Sequence, residues 1–190
     1  MSSDLLFASV RPLLETPQPA TLGPGPRPGV LPVETLNRRL EALLAQTPRT
    51  RAAQDAMRGL VLLWHDHLAA AHALVRGLEN PDGRLLHGIM HRREPDYGNA
   101  KYWFRRAGSH RCYPPLAERL TAALAEAGEP ELNRRLFPRG VWDPFGFVDL
   151  CEAAASLTPD HPRVARLQEV QRLEFEVLAE HWCGAAEGAG

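Results

Sequence analysis

The sequence predicts an all-α protein, a single-domain bundle of about six or seven helices with a Pro-rich N-terminal arm. Three observations predict it. Apolar residues recur at helical spacing from Val33 onward. No stretch alternates apolar and polar residues as a half-buried strand does. The periodic stretches are separated by turn and cap signals, among them Asn80-Pro81-Asp82-Gly83, Pro95, Gly128 and Asp143-Pro144. The length of 190 residues, 44% hydrophobic and 24% charged, suits one ordinary globular domain.

Residues 1–32 read as an N-terminal segment and arm. Residues 16–32 hold six prolines and three glycines, which exclude a helix or a central strand. For Leu5 to Leu14 the alternatives are docking as one or two helical turns and staying loose. The bundle is expected over residues 33–184, with residues 185–190 a flexible tail. Leu36, Leu40, Leu43 and Leu44 form the first apolar stripe. Residues 51–79 carry the longest pattern, roughly 43 Å if helical throughout, apolar on every side from Leu60 to Trp64. It predicts the central helix. Two short helices are expected over 84–94 and 98–107, another over 115–127, one from Pro144 to about Leu157, and a last one from about Pro162 to Cys183.

The 22 Lys and Arg residues against 23 Asp and Glu leave a net charge of -1, which disfavours a general nucleic-acid coat. The charge is uneven. Residues 84–111 carry seven basic and two acidic side chains, whereas residues 112–190 carry seven and thirteen. Pairing of the two regions inside one bundle and an exposed anion-binding surface are the alternatives. No apolar run approaches membrane-spanning length, and the N-terminus lacks the basic start of a secretory signal. A cytoplasmic location is expected. Three widely spaced cysteines make neither a disulfide framework nor a metal knuckle.

Polar residues on apolar faces mark the candidate chemistry. Glu174 falls in the middle of the apolar arc of the last helix, with Gln171 beside it. A lone buried carboxylate costs several kcal/mol, so it needs a cation, a metal or a set of donors. Pairing with an Arg of the basic segment and a catalytic role are both open. In WHDHLAAAH, His67 lies in the apolar stripe, while Asp66 points away from it. His87 and His91 of HGIMH have the i, i+4 spacing that lets two imidazoles share zinc, iron or manganese. Gly88 stands where a zinc protease needs Glu. In HRREPDYGNAKYWFRR, Arg92, Arg93 and Arg105 offer planar forks for an anion, with Tyr97 among them. Lys101 is the chain's one lysine beside 21 arginines, a candidate amine base or a chance survivor.

HGIMHRREPDYGNAKYWFRR resembles the signature block of an uncharacterised family of small bacterial helical proteins. The similarity extends from Trp64-His65-Asp66-His67 to Trp142-Asp143-Pro144-Phe145. That family has no assigned activity, so the resemblance implies no catalytic role for any residue.

Two functions are therefore expected. One is a small enzyme, a hydrolase or lyase. Glu174, His67 and Lys101 would be its catalytic groups, Arg92, Arg93, Tyr97 and Arg105 would hold a small anionic substrate, and a divalent metal could sit at His87 and His91. The other is a non-enzymatic helical binding module, with residues 84–111 meeting a protein or a phosphate-bearing partner.

Overall fold

The computed structural model describes residues 2–46 and 49–184. Among the described residues it is helical throughout, with no strand and with ten α-helices rather than six or seven. They are α1 (Ser3–Val10), α2 (Val33–Leu44), α3 (Arg51–Trp64), α4 (Leu68–Val75), α5 (Pro81–Arg93), α6 (Tyr97–Ala107), α7 (Tyr113–Glu126), α8 (Pro130–Leu136), α9 (Pro144–Ala154) and α10 (Pro162–Gly184). A 3₁₀ turn, Arg11–Leu14, follows α1. Among the described residues no helix is long and apolar enough to cross a membrane. The tail, residues 185–190, lies outside the described residues.

The added helices have local causes. Ser2 caps α1 by accepting from the Leu5 amide. Leu6, Val10, Leu13 and Leu14 are then buried against α10, so the segment before the arm belongs to the core. α8 is a seven-residue helix that starts at Pro130 and buries Leu132 and Leu136. Its single apolar turn is too short for periodicity to reveal.

The long helix expected over residues 51–79 is broken after Trp64. Asp66 takes a left-handed conformation, φ 64°, which Asp tolerates better than most residues. α4 starts again at Leu68. Asp143 caps its helix as the sequence predicts, while Asn80, read as part of a turn, and Asp96, not singled out, are caps as well. Asn80 accepts from the Gly83 amide, Asp96 from Asn99 and Asp143 from Phe145.

α5 and α6 form a tight antiparallel hairpin. Gly88 allows it, because a Cβ there would lie 2.7 Å from the Phe104 ring. α10 runs through the core, touching α1, α3, α7 and α9. Its Phe175 ring stands 5.4 Å from that of Trp64.

Candidate functional site

Glu174 is 2% exposed and Arg92 is fully buried. The guanidinium grips both carboxylate oxygens, Nη2 to Oε2 at 2.5 Å and Nη1 to Oε1 at 3.1 Å. Arg92 lies over the Phe147 ring at 4.2 Å. Burial opposes its charge, but the Glu174 carboxylate holds the Arg92 pKa above its ordinary value. The basic and acidic regions of the chain thus do meet inside the bundle.

Beside this pair lies a second buried network, and it answers the arm. Buried carbonyls need donors, and a Pro-rich segment cannot find them in a ladder of its own. Gln171 donates to the Ala20 and Thr21 carbonyls, at 3.0 Å each. Arg93 donates to the carbonyls of Thr21, Gly23 and Leu63 and to Asp66 Oδ1. Arg27, from the arm itself, bonds the same Asp66 oxygen at 2.5 Å and the Trp64 carbonyl at 2.6 Å. Gly25 leaves room for Asp66, since a Cβ on it would come within 2.4 Å of that side chain. His65 accepts from the Leu31 amide through Nδ1 and donates to the Leu13 carbonyl through Nε2. His67 donates to the Leu31 carbonyl.

This geometry corrects two expectations. The Asp66 side chain is 1% exposed, not turned to solvent, because the helix break swings it between Arg27 and Arg93. His67 is half-buried at the N-cap position of α4, outside any apolar stripe and without a side-chain capping bond, for the same reason. Burial lowers the pKa of Arg93 to about 10, Asp66 opposing the fall, so the group stays charged at neutral pH. Burial also lowers the pKa of His65, which fits a neutral ring with a lone pair on Nδ1.

The remaining expected site residues are scattered. Lys101 pairs with Asp149 at 2.5 Å on a surface between α6 and α9, and that bond raises its pKa. Tyr97 opens α6, half-buried against the core. His87 and His91 share a face of α5, with ring centroids 6.3 Å apart and His72 facing both. His87 stacks on Trp103 at 4.1 Å. Among the described residues no group of three or more His, Cys, Asp or Glu side chains could hold a metal ion. The three cysteines are free and buried.

Among the expected residues, Arg105 lines a large groove. This groove, of about 620 Å³, lies between the end of α6, the start of α7 and the loop 138–145. Phe104, Tyr113, Trp142 and Phe145 give it an aromatic lining, and Arg105 and Arg139 border it. Gly108, at φ 65°, turns the chain out of α6 and opens one side. Trp142 is fixed between Phe137 and Phe147, with ring centroids at 5.7 and 5.4 Å. Asp143 also lines the groove, its Oδ1 committed to the Phe145 amide at 3.0 Å. Tyr113 is buried, and its hydroxyl has no hydrogen-bond partner among the described residues. Arg105 and Arg139 are exposed and form no ion pair among the described residues. The loop sequence FPRGVWDPF places four large apolar residues where no helical period can bury them.

No family model, no curated protein and no solved structure matches this chain.

Proposed function

We propose that the chain is a non-enzymatic helical binding module whose groove takes an anion with an apolar body. One observation carries the reading. Two guanidinium groups without ion-pair partners border an aromatic-lined groove of about 620 Å³, a size and polarity that suit a small ligand. Elsewhere in the basic segment Arg84, Arg106 and Arg111 form no ion pair among the described residues but do not line this groove, and the other cations are committed to the fold. Arg92 holds Glu174, Arg93 holds Asp66 and the arm, and Lys101 holds Asp149. The enzyme reading is less well supported, since its proposed base is enclosed and both of its oxygens are taken.

The test is calorimetry with 1-naphthylacetate and its neutral analogue 2-(1-naphthyl)ethanol. A charge-assisted contact contributes about 1.5–3 kcal/mol, so the carboxylate should bind at least about tenfold more tightly. Arg105→Gln with Arg139→Gln should remove the difference. Equal binding of the two compounds to the wild-type protein would refute the reading.

A further inference from the structure

The groove continues beyond Val141. A second hollow, of about 590 Å³, lies along α7, and Tyr113 and Val141 line both hollows. Its floor is the α7 face carrying Pro114, Ala117, Ala122 and Ala125, opposite the buried Leu116, Leu120 and Leu124. Small side chains keep this floor low. Val141, 59% exposed, stands between the two hollows. The charges are ordered along the pair. Arg105, Arg139 and Asp143, whose Oδ1 accepts from the Phe145 amide, line the first hollow and leave it one positive charge in excess, and Glu118 is the one charged side chain lining the second.

A compact anion would leave the second hollow empty. We propose that the ligand is a long-chain monocarboxylate, with its head at Arg105 and Arg139 and its hydrocarbon tail passing Tyr113 and Val141 onto α7. The proposal rests on the binding-module reading and adds the length and the charge pattern of the ligand. Glu118 makes the far end repel a second carboxylate, so an α,ω-dicarboxylate of equal length is disfavoured.

The experiment is calorimetry on the full chain with octanoate, decanoate and dodecanoate below their micellar concentrations, and with decanedioate. A fully buried methylene is worth roughly fourfold in affinity. For a tail lying in an open groove, each two added carbons should then give about fivefold. Decanedioate should bind at least about tenfold more weakly than decanoate. Ala122→Trp fills the second hollow from an exposed position. It should leave octanoate binding unchanged and abolish the gain from octanoate to dodecanoate. Affinity that levels off at octanoate in the wild-type protein would overturn the proposal, as would a dodecanoate affinity indifferent to Ala122→Trp. If octanoate still binds and Arg105→Gln with Arg139→Gln abolishes it, the binding-module reading survives that failure. If no alkanoate binds while 1-naphthylacetate does, the long-chain proposal alone falls; if neither binds, both fall.

Discussion

Glu174→Gln separates a structural acid from a catalytic one. The change keeps the size and one acceptor of the side chain but removes its charge. Arg92, fully buried, then loses its counter-charge, and its Nε already has no hydrogen-bond partner among the described residues. Leaving a buried ion without its partner costs about 3–5 kcal/mol. That is a large part of the roughly 5–15 kcal/mol that holds a domain folded. In a chain of this length each kcal/mol moves the melting temperature by about 2–4 °C, so a fall of roughly 6–20 °C is expected. Urea unfolding followed by tryptophan fluorescence and by circular dichroism should show the midpoint shifting with an unchanged slope. Replacing both partners by Met should recover most of the loss, because a well-packed apolar pair is often as stable as a buried ion pair. A Glu174→Gln protein within about 1 kcal/mol of wild type would refute the structural account and return Glu174 to the catalytic candidates.

Other consequences follow from the arm and the hairpin. His65 is neutral in the fold, and burial holds its pKa below the unfolded value. Stability is therefore complete above about pH 6.5 and declines as pH falls below it; an NMR titration midpoint for His65 at or above 6.5 would contradict this. Gly88→Ala drives a methyl into the Phe104 ring and should cost about 1–3 kcal/mol in urea unfolding, while a neutral result would mean that α5 and α6 part easily. Arg27→Ala removes the side-chain bonds to Asp66, Thr16 and the Gln18 and Trp64 carbonyls and keeps the backbone bond to Asp66 Oδ2. Amide exchange at Leu31, whose N–H donates to His65 Nδ1, should then quicken by about tenfold or more, the equivalent of 1.4 kcal/mol. Unchanged exchange would show that the apolar residues alone fix the arm.

The helical class and most helix ends were legible because caps, prolines and apolar stripes are local signals. The need of Glu174 for a partner was legible too, since a carboxylate in the middle of an apolar arc has few solutions. Which Arg would supply it was not, because α5 exposes no periodicity that separates Arg92 from Arg93. The break at Asp66 was hidden for a stronger reason. The apolar period continues from Trp64 through Leu68 and Ala71 to Val75. What stops the helix is Arg27, 39 positions away, and Arg93, 27 positions away. A long-range charge overrides a local preference of a few tenths of a kcal/mol per residue. The polar residues beneath the arm looked like chemistry for the same reason: the backbone they serve lies in a segment with no period of its own. The groove was missed because it forms between loops.

The ratio of 21 arginines to one lysine takes on structural meaning at Arg93. The fully buried guanidinium serves Asp66 and three carbonyls at once, with Nε, Nη1 and Nη2 all engaged. An ammonium has three donors at a single point and a stronger hold on water, so it cannot span acceptors that lie around a planar fork. Arg93→Lys keeps the charge but should leave at least one buried carbonyl unanswered, at a cost of about 1–3 kcal/mol. Lys101 is the opposite case. It is 32% exposed and its partners Asp149 and Glu152 are about half exposed, so the pair is solvated. Lys101→Arg should change stability by less than about 1 kcal/mol. Urea midpoints of the two variants measure the contrast directly. Equal effects would mean that charge alone, and not the shape of the guanidinium, secures the arm to the body of the bundle.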